Sequence, residues 1–311
     1  MVMVHGGNLI KHHREKRKIT IAQLCEGICS TSTLQRIENN KQTPSVFVFM
    51  RLIERLGFDA SKFFTGVFDE KELEFFNAYY EIEALLMSKK IDEAELKIKI
   101  LRHLGQNFDK GDGAKIREQK LLVLELAIER QKEVDVAQYS DKILQALRLT
   151  FPKFDESKIA TYMLSFDEIS LLNMLAMSYE VAGNPEKEIE ILKSVKASMD
   201  KHYADEYEKS RGYTLTLSNL STALGIAGRH AEVIEICDIA IKHCVAHKRL
   251  FVLPKLKFNK GCAMFYLGKK DGYKRLIIEA VYALRNNEDF VSAESSKAFA
   301  EDELGIIFPK F

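Results

Sequence analysis

The sequence has few of the features that mark membrane proteins and disulfide-stabilised proteins. Its five cysteines are an odd number in a chain of 311 residues, which is long enough to bury a core without disulfides. We therefore predict free thiols that serve as packing residues in a reducing compartment. The longest apolar runs, such as 46–50 and 121–124, are far shorter than the ~20 residues of a membrane span. These absences favour a soluble, cytoplasmic protein with no membrane partner.

Strand-like alternation of apolar and polar residues is also missing. After residue 65 the apolar residues recur at spacings of three and four, and the five prolines fall at or near the breaks between such segments. This periodicity predicts an all-α fold. The predicted helices span 69–88, 91–104, 113–131, 133–150, 166–182, 186–201, 204–227, 229–247, 255–267, 271–286 and 291–305.

The net charge of +1 conceals an uneven distribution. Residues 1–65 carry ten Lys and Arg against five Asp and Glu, a net charge of +5, whereas residues 66–311 carry a net charge of −4. A compact basic segment followed by a mildly acidic body indicates a polyanionic partner for the first part and a different role for the second.

Helix signals within the basic segment predict a helix-turn-helix. Thr20 and Gln23 have the spacing of a capping box that begins a short helix, and Gly27 can end it in a left-handed conformation. Ser30 is a suitable N-cap for a second helix, Thr31 to Glu38. Two short helices joined by a tight glycine turn fit the motif that places its second helix in the major groove.

The outward side chains of that second helix suit the edges of base pairs. Arg36 can make a bidentate contact to guanine, Gln35 can pair with adenine, and Thr31 and Ser32 can bond either edge. Phosphate contacts are predicted for seven further residues: Asn39, Asn40, Lys41, Arg14, Lys16, Arg17 and Lys18. The alternative is a basic, solvated helical surface that has no partner.

The body contains an internal similarity. In three places a helix is followed by a turn glycine and a second helix, and these glycines, Gly183, Gly228 and Gly268, are 45 and 40 residues apart. Such hairpins bury their apolar stripes only by stacking on one another, which produces a curved solenoid with a concave face.

The stretch "KITIAQLCEGICSTSTLQRIENNKQTPS" resembles the helix-turn-helix of the Rgg/PlcR group of peptide-responsive transcription regulators, within the Xre-like class. The segments "LLN", "LSNL" and "EICDIAI" resemble the tetratricopeptide-like body of the same group. The resemblance implies an N-terminal helix-turn-helix bundle followed by a right-handed tetratricopeptide-like helical-repeat solenoid. It also implies a homodimer on a two-fold DNA operator, and a short signalling peptide in the concave groove. Two positions depart from the pattern: Ile21 stands where many relatives have a phosphate-binding glutamine, and Asn40 replaces the usual turn glycine. Asparagine can substitute for glycine there because it tolerates a positive φ.

The resemblance also suggests which residues bind the peptide. Asn173, Asn219 and Asn259 lie on the first helix of each repeat, where asparagines of this group clamp an extended peptide backbone, and an amide can both donate and accept. Lys255 and Tyr213 could line the same groove. Structural asparagines, a surface lysine and a core tyrosine are the alternative explanation.

Metal, cofactor and enzyme chemistry are not indicated. The cysteines and histidines lack the paired spacing of a zinc site, and Cys237, Ala240, Ile241 and Cys244 form a helical stripe that predicts burial. No nucleophile and base, and no pair of carboxylates, stands out among the 45 acidic residues. We therefore expect neither a cofactor nor a catalytic site.

Taken together, the sequence predicts two domains. Residues 1–65 form a DNA-binding domain, and residues 66–311 form a repeat domain for peptide binding and dimerisation. The predicted function is a quorum-sensing transcription regulator. The alternative is a repeat scaffold or an effector-free repressor whose partner is a protein rather than a peptide.

Overall fold

The computed structural model of the protein describes residues 6–58, 70–106, 108, 111–131, 135–203, 205–269 and 271–309. These residues form α-helices and short 3-10 turns, and none of them lies in a β-strand. The α-helices are α1 (Gly6–Lys16), α2 (Ile21–Cys25), α3 (Thr31–Glu38), α4 (Val46–Arg55), α5 (Glu70–Met87), α6 (Ile91–Gln106), α7 (Gly113–Glu129), α8 (Val136–Arg148), α9 (Phe166–Val181), α10 (Pro185–His202), α11 (Glu206–Ile226), α12 (His230–Ala246), α13 (Leu253–Tyr266), α14 (Tyr273–Asn286) and α15 (Phe290–Asp302).

The all-α prediction is confirmed for the described residues. Helices α5 to α15 begin and end within three residues of the predicted positions, whereas α1 and α4 were not predicted. Among the described residues, no helix has the length and apolar content that crossing a bilayer would require.

The chain divides into two compact units. The first comprises Met1–Ser178 and Ser198–Glu208, and the second comprises Tyr179–Ala197 and Lys209–Phe311. In the second unit α12 packs on α13, α13 on α14, and α14 on α15, as successive helices of a repeat array do. The predicted stripe of α12 is largely confirmed, since Cys237, Ala240 and Cys244 are fully buried.

The three predicted turn glycines end the first helix of each hairpin. Gly183, Gly228 and Gly268 have φ angles of +77°, +71° and +68° and follow α9, α11 and α13. A left-handed residue at this position closes the last turn of a helix, and glycine adopts it without a steric penalty. The helical-repeat prediction is therefore confirmed locally, at each hairpin turn.

One hydrophobic core cluster of the described residues extends from α1 to α7 in the first unit. It contains Leu24, Leu34 and Leu52 of the helix-turn-helix segment together with Phe75 and Leu121 of α5 and α7. The predicted domain boundary at residue 65 lies outside the described residues, and the division of roles at that point stays a prediction. The packing itself joins the helix-turn-helix segment to the first helices of the body.

A buried network of ion pairs fixes α4 within the first unit. Arg51 Nη2 donates to Asp167 Oδ2 at 2.6 Å, and Arg51 Nη1 and Arg55 Nη2 both donate to Glu168 Oε1 at 3.1 Å. Lys120 Nζ of α7 lies 3.1 Å from Asp167 Oδ2. All five residues are at most 5% exposed. Three cations from α4 and α7 therefore meet two carboxylates at the start of α9.

Glu168 is the centre of this network. Besides the arginines, it accepts hydrogen bonds from the backbone N–H of Ser165 at 2.7 Å and from Thr150 Oγ1 at 2.5 Å. Burial acts to raise the pKa of Glu168, but Arg55, Arg51 and these hydrogen bonds outweigh it and lower the pKa to about 2. The carboxylate is therefore charged at neutral pH, and its pKa lies below the ordinary value of 4.5.

We expect Glu168→Gln to destabilise the protein by about 3 kcal/mol at pH 7, because it removes the carboxylate that pairs with buried Arg55, while Arg51 keeps only Asp167 within α9. In the wild type, the contribution of the charged carboxylate is present above pH 4.5 and is lost as the pH falls towards about 2. Thermal unfolding at pH 7 and pH 3 should therefore show a smaller acid-induced drop for the variant.

The matched control is Glu118→Gln, which removes the charge of a carboxylate whose side chain is 41% exposed and pairs with Arg102. We expect that change to cost less than about 1 kcal/mol. Equal unfolding midpoints for the two variants at pH 7 would show that the buried network contributes no more to the stability of the fold than an exposed ion pair does.

Candidate functional site

The first helix of the motif begins with the predicted capping box. Thr20 Oγ1 accepts from the backbone N–H of Gln23 at 3.2 Å, and Gln23 Oε1 accepts from the backbone N–H of Thr20 at 2.9 Å. These bonds satisfy donors that no helical carbonyl can reach. The N-terminal end of α2 is thereby fixed, with Thr20 and Gln23 both exposed.

The turn between the two helices depends on Gly27. Its φ is +68°, as predicted, and a Cβ at this position would lie 1.5 Å from the carbonyl oxygen of Thr150. The same loop is held by Arg55, whose Nη1 donates to the carbonyl oxygen of Glu26. The turn is therefore packed tightly against residues of the body.

The second helix, α3, has the predicted bounds and two distinct faces. Ser30 Oγ accepts from the backbone N–H of Thr33 at 3.0 Å and caps the helix. Leu34 and Ile37 are at most 1% exposed and anchor the inner face in the core. The outer face consists of exposed side chains: Thr31, Ser32, Gln35, Arg36 and Asn39. The five residues predicted to face DNA are thus presented together on one surface.

The turn after α3 is held in place by side chains. Asn40 has a φ of +56°, which confirms that asparagine here takes the conformation of the usual glycine. Its Nδ2 donates to Asn8 Oδ1 of α1 at 2.7 Å. Lys41 follows with an exposed side chain. Lys41 lies three residues after the end of α3, and this position is consistent with a phosphate contact. The contact stays a prediction.

The prediction for Arg14 is corrected by the structure. Arg14 is 9% exposed, and its Nε and Nη2 donate to the two carboxylate oxygens of Glu38 at 2.6 and 2.7 Å. Its Nη1 donates to the carbonyl oxygen of Ile19 at 3.0 Å. The guanidinium therefore ties α1 to the end of α3 instead of reaching a phosphate. Lys18, by contrast, is exposed and stays a candidate for a phosphate contact.

Two of the three predicted peptide-clamping asparagines are buried. In the first unit Asn173 is 4% exposed, and its Nδ2 donates to the carbonyl oxygen of Ile169 in its own helix at 2.8 Å. In the second unit Asn219 is 7% exposed. These placements correct the prediction that both side chains line an open groove, because burial excludes them from the surface. They agree with the alternative that such asparagines are structural.

Asn259 is half-buried in the second unit. Its Nδ2 donates to Ser221 Oγ at 2.8 Å and to Thr222 Oγ1 at 3.1 Å, so the amide links α13 to α11. Lys255 is exposed near the start of α13, and its charge opposes the burial and the Glu180 charge that raise the pKa of Glu188 to about 7. Both residues keep their predicted role as a proposal.

Tyr213 does not line a groove. It is 2% exposed, its ring centroid lies 4.9 Å from that of His243, and Lys209 Nζ lies 4.4 Å from its ring centroid. Cation and aromatic contacts of this kind stabilise a buried ring. The prediction for Tyr213 is therefore corrected: the residue belongs to the interior of the second unit.

Arg14 of α1 and Arg36 of α3 should respond differently to substitution. We expect Arg14→Ala to lower the free energy of unfolding by about 3 kcal/mol, because it leaves Glu38 buried and unpaired. Arg36→Ala should change it by less than about 0.5 kcal/mol, because the side chain is exposed. Urea denaturation of both variants measures the difference. An unchanged midpoint for Arg14→Ala would contradict the structural role of the pair.

Comparisons with known proteins agree with this geometry. Residues 10–63 match the protein family described as "Helix-turn-helix". No curated protein matches the chain in sequence. Among solved structures, PlcR from Bacillus thuringiensis in complex with a peptide and DNA is 17% identical, with a TM-score of 0.59 over 94% of this chain and 98% of that chain.

Two further similar structures are apo forms. The apo form of PlcR is 16% identical, with a TM-score of 0.56 over 93% of this chain and 98% of that chain. The apo form of the competence regulator ComR from Streptococcus vestibularis is 15% identical, with a TM-score of 0.51 over 95% of this chain and 97% of that chain. The protein therefore has an N-terminal helix-turn-helix domain and, over more than nine-tenths of its length, the all-α helical-repeat fold of PlcR and ComR.

Proposed function

We propose that this protein is a cytoplasmic, sequence-specific transcription regulator and not an enzyme. The observation that carries the proposal is the outer face of α3, where Thr31, Ser32, Gln35 and Arg36 are all exposed beside one another. Amide, hydroxyl and guanidinium groups in this arrangement can read base edges in a major groove. The basic character of residues 1–65 supports an approach to the phosphate backbone.

The regulator acts on its operator as a homodimer. A helix-turn-helix of this size contacts only a few base pairs, and two-fold symmetric half-sites about one DNA turn apart are the usual solution. The fold shared with PlcR, which is described in complex with a peptide and DNA, supports a short signalling peptide as the effector. Asn259 and Lys255 of the second unit are the residues proposed to contact it.

One observation favours the second candidate, an effector-free repressor or a scaffold for a protein partner. The amide groups of Asn173 and Asn259 already donate to groups within their own units. Asparagines used in this way need no peptide to satisfy them. The two candidates share the same DNA-reading helix and differ only in what the repeats bind.

The DNA-binding part is tested by incubating the purified protein with fragmented genomic DNA at near-physiological salt. The control is the double variant Gln35→Ala, Arg36→Ala, which keeps the fold because both side chains are exposed. We expect the wild type to enrich a few inverted-repeat sites and the double variant to enrich none, since each bidentate contact contributes about 1–3 kcal/mol of discrimination. Equal recovery of all fragments by both proteins would refute sequence reading by α3.

The peptide-binding part is tested by selection from a display library of random heptapeptides with free C-termini. A peptide receptor should enrich one consensus, and Lys255→Gln should lower its capture about tenfold, since charge-assisted hydrogen bonds to a carboxylate contribute 1.5–3 kcal/mol. Lys242→Gln, which removes an exposed lysine of α12, is the matched control. A wild-type protein that binds its DNA sites and enriches no peptide would be an effector-free regulator or scaffold.

A further inference from the structure

A groove of about 650 Å³ lies in the first unit, beside the N-terminal end of α2. Its walls come from three parts of the chain that are distant in sequence. The helix-turn-helix segment contributes Arg17, Lys18 and Gln23, and the end of α10 contributes Lys201 and His202. Tyr162 also lines the groove. The end of α10 belongs to the repeat region, for which the sequence predicts no contact with DNA.

The groove is predominantly positive. Its cationic residues are Arg17, Lys18, Arg55 and Lys201, and its acidic residue is Glu26. Arg55 is buried and paired with Glu168, so its charge is compensated. Lys18 and Lys201 have exposed side chains. A concave surface with one sign of charge concentrates the field and attracts ions of opposite sign.

His202 lies beside these cations and is partly buried. The pKa of His202 is lowered to about 4, first by burial and then by the charges of Lys201 and Arg17. The imidazole is therefore neutral at physiological pH and adds no charge of its own. Its buried Nε2 has no hydrogen-bond partner among the described residues.

Hydrogen bonds of Arg17 join the end of α10 to the helix-turn-helix segment. The guanidinium of Arg17 donates through Nη1 to the carbonyl oxygen of Leu56, at the end of α4, and through Nη2 to the carbonyl oxygen of His202. The last turn of α10 is thereby held at the junction of α1 and α4. Lys201 therefore lines the same groove as Lys18. Lys18 lies two residues before Thr20, the N-cap of α2.

The groove borders the N-terminal end of α2, the first helix of the motif, and this is the helix that crosses the DNA backbone in complexes of this class. The first helix of the motif crosses the sugar-phosphate backbone while the second enters the major groove. Half or more of the hydrogen bonds in such complexes go to phosphate and sugar. A cation at the C-terminus of α10 is also favoured by the helix dipole, but that effect does not account for the convergence of Lys18 and Arg17 on the same groove.

We propose that Lys201 of the repeat region contacts a backbone phosphate of bound DNA together with Lys18, so that the DNA-binding surface extends beyond the helix-turn-helix onto the end of α10. The inference rests on the proposed function. It adds a contact that carries no sequence information but positions the protein on the duplex.

The test measures the affinity of the full-length protein for two fluorescent duplexes, a site recovered from genomic DNA and a random 30-base-pair sequence, from 50 to 300 mM salt. Lys201→Gln should weaken binding to both duplexes by a similar factor of about three to ten, and should reduce the salt slope by about 0.9 for the lost phosphate contact. Lys201→Arg should retain both properties. Lys99→Gln, which removes an exposed lysine of α6 outside the groove, is the control.

The outcomes separate this inference from the proposed function. Unchanged affinity and salt slope for Lys201→Gln, equal to those of Lys99→Gln, would overturn the inference and leave sequence-specific binding intact. Weaker binding to the recovered site alone would also overturn it, because a phosphate contact acts on both duplexes. A wild type that binds neither duplex would refute the proposed function itself.

Discussion

Two arginines one helical turn apart, Arg51 and Arg55, hold α4 against the carboxylates that begin α9. Removing five charged groups from water is costly, and their mutual attraction recovers that cost only when the geometry is good and the remaining donors and acceptors are satisfied. Gln119, Thr150 and Ser165 supply three further hydrogen bonds, whereas the buried Nε atoms of Arg51 and Arg55 have no hydrogen-bond partner among the described residues. The network joins α4, α7 and α9 in one arrangement.

Helix α3, for which we propose the reading of DNA, depends on that arrangement. Helix α3 packs on α1 and α2, and it is secured by the pair of Arg14 with Glu38 and by the turn at Gly27, which leaves no room for a side chain next to Thr150. The reading face is thus a part of the first unit and not an independently tethered module. An effector can alter DNA binding only if it binds one arrangement of these helices more tightly than another. A displacement of the first turn of α9 would move Asp167 and Glu168, which contact Arg51 and Arg55 of α4 directly.

The features that the sequence predicts correctly are those that depend on interactions between residues close together along the chain. The capping box of Thr20, the N-cap at Ser30 and the left-handed Gly27 and Asn40 depend on residues within three or four positions, and each was predicted correctly. Glu38, the partner of Arg14, lies 24 residues away, and Asp167 and Glu168, the partners of Arg51 and Arg55, lie 113 to 117 residues away. No local pattern identifies these three carboxylates. Position on a helix face likewise did not show whether Asn173 or Tyr213 would be covered by neighbouring helices. The indication of these buried ion pairs in the sequence is the presence of two arginines within the apolar residues of α4. A buried arginine requires an opposite charge beside it.

The most direct test of this account is native-state hydrogen exchange resolved along the sequence. If the ion network makes α4 and the start of α9 one cooperative element, their slowest amides should exchange through the same opening, with equal free energies and an equal dependence on denaturant. The amides of α7 around Lys120 should share that opening. Exchange of α1 to α4 through a separate, lower-energy opening, while α7 and α9 stay protected, would show that the helix-turn-helix segment unfolds independently and would contradict the account.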